Sequence, residues 1–273
     1  MLDLDAYLRR IGVPGRPTLA EVHRAHLCAI PFENLDPHRG VPVDLHQEAL
    51  ERKLVTERRG GYCFEHNLLL KSALEALGAE VELVLARVRR GAPYGAVRPR
   101  SHLLLRVQID NAVWHADVGF GAGTLLEPIP FGPDGVHEQS GWRFRIVADG
   151  PEYVLQTADG TDWLDLYGFV PEPAPFVDLI TSNWFTSTHP RSPFVTGLIV
   201  TLHQRDGTRI SLSDWDELVF TEHSPAIRSV TPVSRDQIPE LLETRFGLPG
   251  FAVNGDGRVV AAADEARAAR GSA

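Results

Sequence analysis

Arg58-Arg59-Gly60-Gly61-Tyr62-Cys63-Phe64-Glu65-His66-Asn67 is the stretch on which the reading of this chain turns. Two glycines precede a cysteine, and the apolar run Leu68 to Leu70 follows it. The pattern predicts a helix over 64–77, with Leu70, Leu74 and Leu77 in line and Gly78 as its terminator. A thiol at the mouth of a helix faces unpaired backbone N–H groups and the positive end of the helix dipole. Both favour thiolate over thiol, and the thiolate is the nucleophile. Polar Glu65, His66 and Asn67 surround it, so Cys63 is read as a reactive residue. The other cysteine, Cys28, lies in Leu27-Cys28-Ala29-Ile30 and reads as a small buried apolar side chain.

Upstream of this stretch the chain reads as helical. Leu4, Leu8 and Ile11 share a helical face and Gly12 stops it. Thr18-Leu-Ala-Glu21 has the pattern of a capping box, opening a helix that ends before Pro31. A third helix is expected over 46–57. Downstream the pattern changes near Glu80. Residues 81–88, 102–109, 112–118, 142–148 and 152–157 are short, β-rich and separated by turn formers. Leu103, Leu105, Val107 and Ile109 alternate as in a half-buried strand. Such spacing predicts a compact antiparallel sheet or barrel. Residues 170–193, rich in Pro, Ser and Thr, read as a connecting segment. Strands over 194–202 and 208–212 follow, with a hairpin turn at Asp206-Gly207. Ser234 and Gln237 then open a helix with Leu241, Leu242 and Phe246 as its apolar face and Gly247 at its end. The alanine-rich tail, 261–273, reads as a helix or a frayed end. The expected fold is α+β with three parts: a helical bundle over 1–80, an antiparallel β-barrel over 81–187, and a linker and α/β lid over 188–273.

The 273 residues are 43% hydrophobic and 23% charged, the balance of an ordinary globular protein. A formal charge of −9 argues against nucleic-acid binding, which needs a basic footprint. Two cysteines make neither a disulfide framework nor a thiolate zinc site. The N-terminus lacks the basic and apolar regions of a signal peptide, and no apolar run reaches membrane-spanning length, so a cytoplasmic protein without a membrane partner is expected.

His102 opens a strand after Pro99-Arg100-Ser101, near a sheet end. Asp117 lies in Val113-Trp-His-Ala-Asp-Val-Gly-Phe120, where an unpaired carboxylate is costly to bury. A carboxylate there can orient an imidazole and stabilise its protonated form. Cys63, His102 and Asp117, in that order, point to covalent acyl chemistry. Gly119-Phe-Gly-Ala-Gly-Thr124 lacks the ending of a P-loop and the third glycine of a dinucleotide fingerprint. It reads either as a turn after a strand or as backbone N–H groups facing phosphates or an oxyanion. A rival use of His115-x-Asp117 as two ligands of a 2-His-1-carboxylate iron site ranks low, because it leaves Cys63 unexplained. His137, His189, His203 or His223 would supply its third ligand. No metal is expected.

At this point the chain resembles the arylamine N-acetyltransferases of bacteria. The resemblance is carried by Ile30-Pro-Phe-Glu-Asn-Leu35, Arg59-Gly-Gly-Tyr-Cys-Phe-Glu65, Ser101-His-Leu103, Asp117-Val-Gly-Phe-Gly121 and Ser187-Thr-His-Pro-Arg-Ser-Pro-Phe194. It implies the three-part fold, with a cysteine-protease-like Cys-His-Asp core, and a ping-pong transfer of acetyl from acetyl-CoA through an S-acetyl Cys63. His102 and Asp117 complete the catalytic set. The acceptor implied is an arylamine, arylhydrazine or arylhydroxylamine. Phe32, Val88 and Phe120 match positions lining the acceptor pocket. Gly119, Gly121 and Thr124 match a glycine-rich loop near CoA, and Arg59 and Glu33 match a bracing charge pair. Rivals are an amide synthase moving a longer, polyketide-like acyl chain, a papain- or transglutaminase-like hydrolase, and a non-catalytic binding protein. Oligomeric state is open between monomer and homodimer.

Overall fold

The computed structural model describes residues 2–93 and 95–271. Helix α1 (Leu4–Ile11) ends on Gly12 at φ 74°, the left-handed conformation that glycine adopts at least strain. Helix α2 (Leu19–Ala29) opens on the expected capping box: the Thr18 amide donates to Glu21 Oε2 and the Glu21 amide to Thr18 Oγ1. A two-residue strand, β1 (Phe32–Glu33), and the short α3 (Leu35–His38) lead to α4 (Gln47–Leu50). The expected third helix is therefore mixed, since Glu51–Thr56 continues α4 as a π-helix. Helix α5 (Cys63–Ala76) starts one residue earlier than periodicity gives, so Cys63 is its first residue. Leu69, Leu70, Ala73 and Leu74 of α5 pack against Leu8, Ile11, Val22 and Leu27. Truncating one of these leucines to alanine costs about 2–5 kcal/mol.

Strands β2 (Glu80–Val88), β3 (Arg100–Ile109), β4 (Ala112–Ala116), β5 (Ile129–Pro130), β6 (Val136–Gln139), β7 (Trp142–Asp149), β8 (Glu152–Asp159) and β9 (Asp162–Phe169) form one antiparallel sheet. Its order is β5-β4-β3-β2-β9-β8-β7-β6. Residues from β2, β3, β5, β7, β8 and β9 share one enclosed core, so the sheet is curled into a nearly closed barrel. At the seam the Gln139 side chain accepts from the Leu126 and Glu127 amides and donates to the Glu127 carbonyl. Strand β9 escapes sequence patterning because Asp165 and Gly168 interrupt its β-formers, yet it joins β2 to β8. Strand β3 is covered on both faces rather than one. Leu103, Leu105 and Val107 face the helices, while Leu104 enters the barrel core.

The segment expected as a connector contains α6 (Phe176–Thr188). The Thr181, Ser187 and Thr188 hydroxyls bond back to carbonyls one turn earlier, and Ser182 ties the helix to the Arg100 carbonyl, so helix-poor composition is overridden by packing and tertiary bonds. After α7 (Pro193–Thr196), strands β10 (Ile199–His203), β11 (Arg209–Ser213), β12 (Val219–His223) and β13 (Arg228–Pro232) make a second antiparallel sheet. Its fifth, edge strand is β1, where Phe32 pairs with Thr201. The hairpin turn expected at Asp206-Gly207 joins β10 to β11, with Gly207 at φ 90°. Helix α8 (Ile238–Phe246) covers the outer face of this sheet, packing Ile238, Leu242 and Phe246 on Leu198, Val200, Ile210 and Leu212. The hairpin β14 (Phe251–Val253) and β15 (Val259–Ala261) and helix α9 (Ala262–Gly271) complete the chain. The last two positions of the alanine-rich tail, 272 and 273, lie outside the described residues. Among the described residues no helix is long and apolar enough to cross a membrane.

Candidate active site

Three elements converge on Cys63. Helix α5 carries it, β3 carries His102 at its start, and the turn after β4 carries Asp117. All three side chains are buried, with residue exposures of 4, 2 and 0%. The chain is threaded tightly here. A Cβ on Gly119 would stand 2.7 Å from Cys63 Cα, and one on Gly61 would stand 2.6 Å from Glu65 Oε2. The glycines on either side of the nucleophile thus permit contacts that no other residue allows. The start of α5 is fixed by Glu65, whose Oε2 accepts from the Tyr62 amide at 3.0 Å.

The Cys63 thiol points along β3 and donates to the Ser101 carbonyl at 3.7 Å. The N–H groups of Leu103 and Phe64 also lean on the sulfur, so it lies against the strand on either side of His102. His102 Nε2 and Asp117 Oδ2 are 2.7 Å apart, which leaves Nδ1 as the ring nitrogen not engaged by the carboxylate. Asp117 is saturated with donors. Its Oδ2 also accepts from the Tyr167 hydroxyl at 2.8 Å, and its Oδ1 from Asn67 Nδ2 at 3.0 Å and the Gly119 amide at 2.8 Å. Burial works against its charge, but His102, Asn67 and the Gly119 N–H together outweigh it and hold the carboxyl well below the usual carboxylate range.

Two effects on the Cys63 thiol oppose the one expected from the helix start. Burial pushes the Cys63 thiol up and the Asp117 charge adds to the rise, against the opposing pull of the Leu103 and Phe64 N–H groups.

A second layer holds the first. Asn67, one helical turn after Cys63, donates to the Leu103 carbonyl at 2.7 Å and accepts from the Val118 amide at 3.1 Å, so one side chain ties α5 to β3 and to the Asp117 turn. His23 Nε2 accepts from the Asp117 amide. His115 Nε2 donates to the Tyr167 hydroxyl at 2.8 Å. Both Asp117 oxygens and this His115 nitrogen are thus engaged within the protein, which is not the donor set of an iron site. Sequence reading missed Asn67, His23 and Tyr167. Only Asn67 left a signal, its spacing from Cys63 on one helix face.

Glu33 and Arg59 form their pair at 2.7 Å as part of a larger cluster. Arg59 also reaches Asp36, while Lys53 bridges Asp36 and Glu65, each at 2.7 Å. The cluster braces the turn before Cys63 without touching the sulfur in any recorded hydrogen bond.

Phe120 lies edge-on to His102 at 5.0 Å between ring centroids and against Tyr167 at 4.9 Å. Val88 pairs with Tyr167 across β2 and β9 and so shares its face. Phe32 sits against the glycine turn, 3.4 Å from where a Gly121 Cβ would stand, with Phe194 at 6.1 Å. Of the three apolar positions expected to grip an aromatic ring, Phe120 thus lies against the imidazole, Phe32 against the glycine turn and Val88 opposite Tyr167. Gly119 and Gly121 lie in that turn, Gly121 at φ 66°. The Thr124 hydroxyl donates to the Asp117 carbonyl at 2.6 Å and its amide to the Gly121 carbonyl, so both groups hold the turn itself.

Comparisons with known proteins agree with this geometry. The sequence pattern of the N-acetyltransferase family matches residues 17–250. An arylamine N-acetyltransferase of Mycolicibacterium smegmatis is 41% identical over 90% of this chain and 92% of its own. A Salmonella typhimurium protein named arylamine N-acetyltransferase / N-hydroxyarylamine O-acetyltransferase is 34% identical over 90% of this chain and 88% of its own. The Mycobacterium marinum arylamine N-acetyltransferase solved in complex with CoA superposes with a TM-score of 0.85 at 37% identity, covering 90% of this chain and 93% of its own. That likeness along nearly the whole chain makes this protein a member of the arylamine N-acetyltransferase family.

Proposed function

We propose that the protein transfers the acetyl group of acetyl-CoA to the nitrogen of an arylamine, arylhydrazine or arylhydroxylamine through an S-acetyl Cys63. One observation carries the reading: the Cys63 thiol bonds to the carbonyl of Ser101, the residue before His102 in β3, and His102 Nε2 lies 2.7 Å from a carboxylate that also accepts from Asn67, Gly119 and Tyr167.

The thiol proton passes to His102 Nδ1 as the sulfur attacks the thioester carbonyl, and Asp117 stabilises the imidazolium that results. Collapse of the tetrahedral adduct breaks the bond to the CoA sulfur, which leaves with the proton from His102. A backbone N–H at the start of α5 serves the oxyanion, a donor worth about 3 kcal/mol. The acceptor amine, neutral near physiological pH, then attacks the S-acetyl carbonyl. His102 receives the amine proton and returns it to the Cys63 sulfur as the amide departs. Phe32, Val88 and Phe120 hold the aromatic ring, the turn of Gly119, Gly121 and Thr124 lies beside the donor, and Arg59 with Glu33 braces the site. In this division residues 1–80 supply the nucleophile, 81–187 its base and carboxylate, and 188–273 the cover. A cytoplasmic setting suits two unpaired cysteines.

Incubation with acetyl-CoA alone, followed by intact mass measurement, tests the reading. The expected result is one added acetyl group mapped to Cys63, absent in Cys63→Ala and discharged by an arylamine or hydrazide. No adduct with acetyl-CoA, together with turnover of a peptide, overturns it. Loading only by a longer-chain thioester replaces it with the amide-synthase reading.

A further inference from the structure

A line of buried side chains runs through the helical bundle toward Phe32. Tyr7 of α1, His26 of α2 and His66 of α5 are 0, 0 and 1% exposed. The Tyr7 hydroxyl and His26 Nδ1 are 2.9 Å apart, His26 Nε2 and His66 Nδ1 are 2.9 Å apart, and His66 Nε2 lies 3.1 Å from the Pro31 carbonyl. None of the three residues takes part in the transfer described above.

The last link fixes every proton in the line. A carbonyl oxygen only accepts, so His66 Nε2 carries the hydrogen. Burial, the largest influence on both rings, lowers their pKa values and keeps them neutral. His66 Nδ1 is therefore bare and accepts from His26 Nε2; His26 Nδ1 is bare in turn and accepts from the Tyr7 hydroxyl. Moving the proton to the other nitrogen of either ring would set like groups face to face, so one arrangement alone satisfies all of them. Because the line ends on an amide carbonyl, which takes no proton, it cannot relay one to the site. Its product is orientation.

The Pro31 carbonyl is a junction. It also accepts from the Gly61 amide at 3.3 Å, and a Cβ on Gly60 would stand 2.0 Å from it. The next residue is Phe32, one of the apolar walls assigned to the acceptor. The His66 ring stacks on Phe32 with 6.2 Å between centroids and 25° between planes. The glycine turn at Gly121 and the Phe194 ring bound Phe32 elsewhere. His66 thus holds the carbonyl before Phe32 and also lies beside its ring. Cys63 is held by other groups: Glu65 caps its helix, and Asn67 ties that helix to β3 and to the Asp117 turn. The nucleophile and the aromatic wall have separate supports.

We propose that His66, locked by His26 and Tyr7, is a positioning residue for the arylamine: it sets Phe32 against the acceptor ring and so governs the second half of the reaction and not the first. The proposal rests on the acetyl-transfer reading above.

Three variants test it. His66→Leu ends the line. His66→Gln keeps a donor for Pro31 and an acceptor for His26. Tyr7→Phe removes one oxygen at the far end and changes nothing at the site. In His66→Leu, discharge of S-acetyl Cys63 by an arylamine is expected to slow about tenfold, the scale of one lost aromatic contact. Acetylation by acetyl-CoA is expected to keep its wild-type rate. So is discharge by hydroxylamine, which has no ring to hold. His66→Gln is expected to recover the arylamine rate, and Tyr7→Phe to show a smaller loss in that step alone. Equal losses with arylamine and hydroxylamine, a loss confined to acetylation, or His66→Gln no better than His66→Leu overturn the proposal and leave the line a role in stability only. A second measurement needs no acetyl transfer: arylamine affinity of each unacetylated protein, titrated by saturation-transfer NMR, is expected to follow the same order. That order in a protein which acetyl-CoA does not load supports the positioning role and sinks the acetyl-transfer reading instead. Equal affinity in wild type and variants overturns the positioning role while leaving S-acetylation of Cys63 standing.

Discussion

Two polar interiors meet at the glycine turn, and they are built on opposite plans. Behind Cys63, Asp117 receives four donors, Asn67 ties three segments together, and a single atom, His115 Nδ1, is left without a partner. On the inner face of the C-terminal sheet, three buried atoms within two strands have none, and like charges stand side by side. The first network is complete in the protein alone, which is what holds an imidazole in one orientation before substrate arrives. The second leaves Thr201 Oγ1, His203 Nε2 and Arg209 Nε without a partner in the protein. A satisfied network contributes rigidity; an unsatisfied one costs free energy.

The comparison is broken most severely at its best-satisfied point. Asp117→Asn keeps the shape but removes the charge that sustains the imidazolium, and the amide cannot accept from all four donors. The rate of Cys63 acetylation in a single-turnover experiment is expected to fall about 10³-fold or more, and retention of near-wild-type rates would show that the carboxylate only positions. Asn67→Ala strikes the same network without touching the reacting atoms. It leaves the Leu103 carbonyl and Val118 amide unpartnered, and urea unfolding should show a loss of about 3 kcal/mol, the sum of more than one buried unsatisfied group.

A pH series tests the same interior. His23, His66 and His115 are buried and neutral, each with its pKa pulled down to about 4 by burial. In the unfolded chain they titrate near 6.5. Above that value both states are neutral and the groups add no pH dependence. Below it the unfolded chain binds protons that the native state refuses, so stability falls with pH until about 4, where the native histidines protonate too. The urea midpoint should be flat above about pH 7 and drop below it, each histidine contributing up to about 1.4 kcal/mol per pH unit. A midpoint unchanged down to pH 5 would contradict the neutral assignments.

The smallest effect sharpens the contrast. Thr201→Val replaces an unpartnered hydroxyl by a methyl of similar size, so unfolding stability should stay within about 0.5 kcal/mol of wild type or rise. A loss as large as that of Asn67→Ala would mean that the two interiors do not differ.

The parts of the site legible in the sequence are those with a local signature. Gly60-Gly61-Tyr62-Cys63 announces a tight helix start, and Asp117 is conspicuous because an apolar strand has no other reason to hold a carboxylate. The helix caps at Gly12, Thr18, Ser234 and Gly247 were legible on the same grounds. Tyr167 and His23 left no such mark, since each meets Asp117 across 50 or more residues of chain. Tyr167 was hidden further by lying in a strand whose Asp165 and Gly168 mask its pattern. A row of basic residues across the C-terminal sheet is invisible in sequence for a related reason. His203, Arg209, His223 and Arg228 become neighbours only through strand register, and a hairpin shifted by one residue would send them to opposite sides. Helix α6 is masked in the sequence because Ser and Thr are poor helix formers in isolation, whereas in place the buried Leu179 and Asn183 and the bonds of Ser182 to Arg100 and Asn183 to Val43 secure it.

Strand β1 carries a consequence for how this molecule comes into being. Two residues near the amino end, Phe32 and Glu33, complete a sheet whose remaining strands begin at Ile199. During synthesis that edge waits, unpaired, until more than half the polypeptide has emerged. Completion of this sheet is thus a late event, a long-range pairing whose loop must be drawn shut before it is rewarded. A nascent chain halted short of β10 would present its nucleophile to the surrounding thiols and thioesters uncovered.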